Sequence, residues 1–178
     1  MRASVFDYFF RKRVYPYRQY DSMDCGPTCL KIIAKYYGKD VDIETIRKFS
    51  GIARDGVSLF GLDVAAKRLG FETTPGLISA HDLVHHLDGP CVIHWNQKHF
   101  MVCYKITSNR STTVFHVVDP AQGRCKFSMD EFRSLFETNE GKGVVLLLSP
   151  SKNFTEGLSQ KDKLEVWRTL LPYTRKYK

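Results

Sequence analysis

The sequence predicts an α+β domain in which helices from the first half of the chain pack on an antiparallel sheet from the second half. Two patterns carry this prediction. Apolar residues recur at helical spacing between positions 27 and 89, and runs of β-branched and aromatic residues separated by short turns begin at position 91. The chain has 178 residues, of which 43% are hydrophobic, so it can bury the core of one domain.

Four helices are predicted ahead of the strands, each from a start signal followed by apolar residues at helical spacing. Proline is tolerated in a first helical turn, whereas aspartate and serine cap that turn with a side-chain oxygen. The predicted starts are Pro27, Asp42, Ser58 and Ser79. Glycines that can stop a helix follow three of these segments, at Gly38, Gly70 and Gly89.

Five strands and one further helix are predicted after position 90. The strands span Cys91–Trp95, His99–Ile106, Thr112–Val118, Arg124–Phe127 and Gly143–Leu148. Three residues separate the first two strands, which indicates a hairpin. Ser128-Met129-Asp130-Glu131 has the form of a capping box, so we expect a helix between the last two strands.

The net charge of +8 is concentrated at the two ends of the chain. Residues 21–151 contain fifteen basic and fifteen acidic side chains, whereas residues 1–20 and 152–178 each carry a net charge of +4. A nucleic-acid-binding protein is expected to carry its excess charge on a folded face, so nucleic acid is not an expected partner. Basic ends fit an anionic membrane surface, or they simply keep the chain soluble.

The ends of the chain also bear on its location. The N-terminus lacks the apolar segment and cleavage site of an export signal, and no apolar run reaches the roughly 18–20 residues that span a bilayer. We therefore expect a cytoplasmic protein. Residues 164–178 are amphipathic, basic and contain tryptophan, which fits either a segment in a membrane interface or a terminal helix packed on the domain.

One cysteine occupies a position suited to catalysis. The chain contains five cysteines: Cys25, Cys29, Cys91, Cys103 and Cys125. An odd number without a secretory signal argues against a disulfide framework. Cys25 stands at or beside the start of the first predicted helix, where the positive helix end favours a thiolate. It is a candidate nucleophile, and the alternative is a small buried hydrophobe, a common role of free cysteine.

A histidine must be able to reach such a thiol, and the six in the chain differ in their predicted positions. They are His81, His85, His86, His94, His99 and His116. The first three share a predicted helix among polar neighbours and are expected to face solvent. His94 and His116 lie inside predicted strands, where a hydrogen-bonded structural histidine is the ordinary expectation. His99 follows a turn and begins a strand, a position from which a rigid sheet presents side chains to a cleft, so it is favoured as the base.

Two more residues complete the candidate site. Asp119 ends a strand, and if that strand pairs with the strand of His99, its carboxylate can orient the imidazole. The alternative role of Asp119 is to form a turn together with Pro120, which is common for an Asp-Pro pair. Asn96 is a weaker candidate for the residue that orients the imidazole. Gln19 lies six residues before Cys25, and its side-chain N–H together with the Cys25 backbone N–H can hold a developing oxyanion. Taken alone, Gln19 would be an ordinary exposed polar residue.

Metal and nucleotide binding are less favoured. Cys25 and Cys29 are spaced so that they can share a helix face, and His94 or His99 is a candidate for a further zinc ligand. No second closely spaced ligand pair accompanies them, so no metal is expected. The chain also lacks a phosphate-binding loop, so we expect no nucleotide or other cofactor in this part of the protein.

As a set, these motifs resemble a known family. Gln19-x5-Cys25-Gly26-Pro27, His99-Phe100-Met101-Val102 and Val117-Val118-Asp119-Pro120 are similar to the motifs in the N-terminal cysteine peptidase domain of peptide-processing ABC exporters, the bacteriocin-type transporters. The resemblance covers residues 14–150. It implies a papain-like fold with Cys25 as nucleophile, His99 as base, Asp119 as its orienter and Gln19 in the oxyanion hole.

The resemblance also implies a function and a setting. Members of this family cleave leader peptides after a Gly-Gly pair, on the cytoplasmic side of the membrane, and are joined to transmembrane and nucleotide-binding domains that use ATP. Residues 151–178 would then be a linker and the approach to a transmembrane domain, and residues 1–13 an arm without an assigned role. Two other functions stay open: a module that docks peptide cargo without cutting it, and a papain-like acyl or peptidyl transferase.

Overall fold

The computed structural model describes residues 13–51, 56–152 and 154. The helices are α1 (Cys25–Tyr36), α2 (Ile43–Ser50), α3 (Leu59–Arg68), α4 (Ala80–His86) and α5 (Met129–Phe136). The strands are β1 (Phe71–Ile78), β2 (Cys91–Trp95), β3 (His99–Ser108), β4 (Thr113–Asp119), β5 (Gly123–Ser128) and β6 (Gly143–Pro150). The predicted α+β class, with helices packed on an antiparallel sheet, is confirmed.

All six strands belong to one antiparallel sheet with the order β1-β6-β2-β3-β4-β5. The predicted hairpin forms, with Trp95 of β2 paired with His99 of β3. β3 and β4 run in opposite directions, and Val102 pairs with Val118. The beginning of β3 and the end of β4 therefore lie at the same end of the sheet, which brings His99 and Asp119 into the same region.

The sheet separates two hydrophobic cores. Residues of α1, α2 and α3 share the first core with one face of the sheet, and residues of α4 and α5 share the second core with the other face. Because side chains alternate along a strand, β3 contributes to both cores. Phe100 and Val102 enter the first core, whereas Met101 and Cys103 enter the second. Helix α1, which begins at Cys25, packs on β3 and thus sits directly over the strand that starts with His99.

The predicted helix starts agree closely with the structure. Backbone N–H groups of the first turn donate to side-chain oxygens of the predicted capping residues Asp42, Ser58, Ser79 and Ser128. The first helix begins at Cys25, two residues before the predicted Pro27, and a 3₁₀ turn (Ser22–Asp24) precedes it. The difference places the Cys25 backbone in the first turn of the helix.

Strand β1 was not predicted from the sequence. It contains Pro75 and Gly76, two residues that are depleted in strands, and positions 74–77 are exposed, so no alternation of apolar and polar residues is visible. Among the described strands it lies at the edge of the sheet, and its one neighbour there is β6. An edge position tolerates proline, because one side of the strand makes no ladder hydrogen bonds.

The C-terminal part of the described chain closes the first core. Phe154 is buried, with its ring centroid 4.5 Å from that of Phe71. The amphipathic segment predicted for residues 164–178 and the arm predicted for residues 1–13, apart from residue 13, lie outside the described residues. Among the helices that are described, none has the length and apolar character needed to cross a bilayer.

Candidate active site

Cys25 lies at the beginning of α1 and is 8% exposed. The residue after it is glycine for a steric reason. A Cβ atom added to Gly26 would stand 2.4 Å from Cγ1 of Val57 and 2.9 Å from Cδ2 of Leu62. Contacts this short do not occur between real atoms, so the glycine allows the start of α3 to approach the first turn of α1. This close approach holds the helix end that carries the thiol.

His99 and Asp119 are joined by a short hydrogen bond. The Nε2 atom of the His99 ring lies 2.7 Å from Oδ1 of Asp119. Asp119 is 6% exposed, and the same oxygen accepts a hydrogen bond of 2.7 Å from the backbone N–H of Ala121. The turn after β4 thus fixes the carboxylate, and the carboxylate fixes one nitrogen of the imidazole.

The thiol and the imidazole change each other's acidity. Burial raises the pKa of Cys25, but the hydrogen bond from His99, the backbone N–H groups of Phe100 and Gly26 and the positive charge of His99 outweigh it, so the pKa of the thiol is lowered. The hydrogen bond with Cys25 raises the pKa of His99 to about 9, with a further contribution from Asp119 and in opposition to burial. The pair therefore favours a thiolate beside an imidazolium.

Gln19 is tied to the same turn as Asp119. Its backbone N–H donates a hydrogen bond of 3.0 Å to the carbonyl oxygen of Pro120, the residue that follows Asp119. The Oε1 atom of the Gln19 side chain is buried and has no hydrogen-bond partner among the described residues. One turn therefore carries the carboxylate that contacts His99 and the carbonyl that anchors Gln19.

The other histidines have separate environments. His81, His85 and His86 on α4 are exposed, in agreement with the prediction. The ring of His94 stacks on Phe100 with centroids 4.7 Å apart, and burial together with the positive charge of His99 lowers its pKa. His116 contacts the hydroxyl of Thr107 at 3.1 Å. The side chain of Asn96 is exposed in the β2–β3 turn, and it is Asp119 that contacts His99.

The remaining cysteines lie apart from this chemistry. Cys29 is fully buried, and burial together with the negative charges of Cys25 and Asp119 raises its pKa well above the usual value, so it is a neutral thiol of the core. Cys91 and Cys103 face each other across β2 and β3 on the other side of the sheet. Across residues 13–51, 56–152 and 154, no three His, Cys, Asp or Glu side chains are grouped so that they could hold a metal ion.

Sequence reasoning missed one charged pair next to the candidate nucleophile. Asp24, directly before Cys25, is 2% exposed and forms an ion pair with Arg47 of α2. An acidic residue beside a candidate nucleophile is a signal that could have been noted. Its partner lies 23 positions later on another helix, so no local sequence pattern reveals the pair.

One known protein family matches most of this chain. The profile of the peptidase C39 family matches residues 13–153. The chain belongs to the peptidase C39 family. It is therefore a domain of a peptidase family, and the match covers the sheet, all five helices and the four candidate site residues.

This C39 domain has relatives that are larger proteins, and it matches only a part of each. It is 31% identical over 148 residues to the probable microcin-H47 secretion/processing ATP-binding protein of Escherichia coli, a match that covers 83% of this chain and 20% of the relative. It is 30% identical over 151 residues to the colicin V secretion/processing ATP-binding protein of the same species, covering 85% of this chain and 20% of the relative. The chain thus spans about a fifth of the length of these relatives.

Solved structures of peptidase domains share the fold. The C39 domain matches the double-glycine motif protease of an AMS/PCAT transporter, crystallised with a leader peptide, with a TM-score of 0.69 and 30% identity over 79% of this chain and 94% of that one. It matches the peptidase domain of Streptococcus ComA, a bifunctional ABC transporter, with a TM-score of 0.64 and 27% identity over 78% of this chain and all of that one. The papain-like fold expected from the sequence is confirmed.

Proposed function

We propose that this C39 domain is a cysteine endopeptidase that cleaves a leader peptide after a Gly-Gly pair, as part of an ABC transporter that exports the mature peptide. The observation that carries the proposal is the arrangement of three side chains: the His99 ring is hydrogen-bonded to the Asp119 carboxylate, and it lies near enough to the Cys25 thiol to lower the pKa of that thiol. The likeness to a double-glycine protease that was crystallised with its leader peptide supports the choice of substrate.

The acylation step begins from the thiolate–imidazolium pair. Sγ of Cys25 attacks the carbonyl carbon of the second glycine, a C–S bond forms, and the carbonyl electron pair moves to the oxygen. The backbone N–H of Cys25 and the side-chain amide of Gln19 then stabilise that oxyanion. Nε2 of His99 is engaged by Asp119, so Nδ1 is the nitrogen that donates its proton to the leaving amine as the C–N bond breaks.

The deacylation step restores the enzyme. His99, now neutral, accepts a proton from a water molecule whose oxygen attacks the thioester carbon. The C–S bond breaks as the second oxyanion collapses, which releases the leader with a free carboxylate at its second glycine. The sulfur leaves as the thiolate beside a protonated His99, which is the starting state of the next cycle. Asp119 keeps the same ring nitrogen throughout and stabilises the imidazolium.

The setting of the domain is also a proposal. We infer that residues 14–150 form the peptidase domain, that residues 1–13 are an arm, and that residues 151–178 link the domain to transmembrane and nucleotide-binding parts. The ATP-binding transport proteins that resemble this chain support that arrangement. The domain would then act at the cytoplasmic face of the bacterial inner membrane and need no cofactor of its own. The leader would dock as an amphipathic helix in an apolar groove.

A cleavage assay tests the proposed function. The purified domain is incubated with a synthetic peptide that contains a leader ending in Gly-Gly followed by a short cargo, and the products are identified by mass spectrometry. We expect a single cut after the second glycine, and no cut with Cys25→Ala, which should still bind the peptide. Cys125→Ala, which removes a partly exposed thiol that the proposed reaction does not use, is the control and should cleave normally.

The same assay separates the alternative functions. Binding without any cut by the unmodified domain would favour a docking module. Cleavage that requires an added acceptor amine, with transfer of the leader to that amine, would favour a transferase. Full activity of Cys25→Ala would contradict the proposed nucleophile.

A further inference from the structure

Asp24 is a buried charged residue that the proposed reaction does not use. It directly precedes Cys25 and is 2% exposed. A carboxylate is costly to bury unless it is paired and hydrogen-bonded. The burial of this charge directly beside the proposed nucleophile therefore indicates a specific structural role for Asp24.

The carboxylate of Asp24 is held by two parts of the chain. Nε of Arg47 donates a hydrogen bond to Oδ1 of Asp24 at 2.8 Å, and Nη2 of Arg47 donates to Oδ2, so the ion pair is bidentate. The backbone N–H of Asp21 also donates to Oδ2, at 3.1 Å, while the N–H of Asp24 donates to the carbonyl of Asp21 at 3.1 Å. The turn before the nucleophile is thus closed on itself and attached to α2.

Asp24 does not serve as an ordinary helix cap. It occupies the residue position before α1, where an aspartate usually accepts a hydrogen bond from the first helical turn. Here its side chain makes no such capping bond. Its partner Arg47 belongs to a helix that is anchored in the core by the fully buried Ile46. The ion pair therefore fixes the entry to α1 against a rigid neighbouring helix.

This geometry bears on the oxyanion contact. The peptide plane between Asp24 and Cys25 contains the Cys25 N–H, one of the two donors in the proposed mechanism. We propose that the Asp24–Arg47 ion pair is a positioning pair that sets the orientation of this N–H and thereby the stabilisation of the oxyanion. The inference rests on the proposed function, and its tests include readouts that do not require peptide cleavage.

Substitutions of Arg47 test the inference by steady-state kinetics. Arg47→Ala should lower kcat by about 10- to 100-fold with little change in KM, because the substrate still binds while the oxyanion donor is displaced. Arg47→Lys keeps the charge but loses the bidentate geometry, so its kcat should lie between those of the wild type and Arg47→Ala. Two controls should behave as wild type: Glu44→Ala removes the exposed second partner of Arg47, and Lys48→Ala makes the same change of charge at the next position.

Two chemical probes separate positioning from a general loss of structure. Iodoacetamide alkylates the Cys25 thiolate without forming an oxyanion, so its rate, followed on the Cys25 peptide by mass spectrometry, should change by less than about threefold in Arg47→Ala. A peptide aldehyde that ends in Gly-Gly forms a tetrahedral adduct with an oxyanion. Its affinity should fall by the same factor as kcat/KM.

The outcomes are distinct. Wild-type kcat in Arg47→Ala, or equal losses in alkylation and in aldehyde affinity, would overturn the positioning role. If Arg47→Ala shows no cooperative thermal unfolding, the alkylation rate and the aldehyde affinity are compared in Arg47→Lys instead. A wild-type domain that alkylates and binds the aldehyde but cuts no Gly-Gly peptide would contradict the proposed function while leaving this comparison intact.

Discussion

Nε2 of His99 lies 2.7 Å from Oδ1 of Asp119, so Nδ1 is the ring nitrogen left to serve the Cys25 sulfur. A carboxylate in this position selects one tautomer of a neutral imidazole and stabilises the imidazolium that forms when the ring is protonated. The backbone N–H of Ala121 holds the same carboxylate oxygen at 2.7 Å. The same carboxylate oxygen therefore links the His99 ring at the start of β3 to the turn at the end of β4.

Asp119→Ala should lower kcat/KM for a Gly-Gly leader peptide by about 100-fold or more, because the imidazole loses its orienting partner. Steady-state kinetics with a labelled leader peptide provide the measurement. Asp88→Ala removes an exposed carboxylate outside the candidate site and should leave the kinetics unchanged. Wild-type activity in Asp119→Ala would argue against the orienting role.

The pH dependence of kcat/KM should be bell-shaped. Activity rises with pH on the acid side as Cys25 loses its proton. The midpoint of this limb should lie below the usual pKa of a free thiol, because the pKa of Cys25 is lowered. Activity falls on the alkaline side as the imidazolium deprotonates, with a midpoint near pH 9, because the pKa of His99 is raised to about 9. A plateau that persists well above pH 9 would contradict the role of a protonated His99.

Titration of the histidines by NMR tests the origin of that raised pKa. The hydrogen bond with Cys25 is its largest cause, so the pKa of His99 should fall from about 9 in Cys25→Ala. His116 has other neighbours, chiefly Lys126 and Lys105, and serves as an internal control that should titrate alike in both proteins. An unchanged His99 titration in the variant would place the cause elsewhere than in the thiol.

Most of the fold was predictable because its signals are local. Capping residues such as Asp42 and Ser58 act within one helical turn, and the β2–β3 hairpin depends on a three-residue connection. Strand β1 was not predicted, because an edge strand that contains Pro75 and exposes most of its side chains has no apolar alternation. Its pairing with β6, some 70 positions along the chain, is a tertiary effect.

The candidate site was predictable to a similar extent. His99 and Asp119 were placed at strand ends, and the antiparallel pairing of β3 with β4 brings those ends together. The Asp24–Arg47 pair was missed because it joins the turn before α1 to α2, 23 positions later, with no shared sequence pattern. The roles assigned to Cys25 and Gln19 stay predictions until variants are measured.

Gly26→Ala should destabilise the domain, because the new Cβ would lie 2.4 Å from Cγ1 of Val57 and 2.9 Å from Cδ2 of the fully buried Leu62. Overpacking of this kind typically costs about 1–3 kcal/mol in the free energy of unfolding. Relief of the clash requires the side chains of Val57 and Leu62, or the start of α3, to move away from the first turn of α1, so kcat should fall at temperatures where the variant is folded.

Denaturant unfolding and leader-peptide kinetics on the same preparations measure both effects of Gly26→Ala. The matched control is Gly76→Ala on β1, where an added Cβ meets no atom within 4 Å and the backbone is extended. That substitution should change the free energy of unfolding by no more than about 0.5 kcal/mol and leave kcat unchanged. Equal stability of the two variants would show that α3 can yield at this contact, and that the close approach of the two helices is not what holds Cys25.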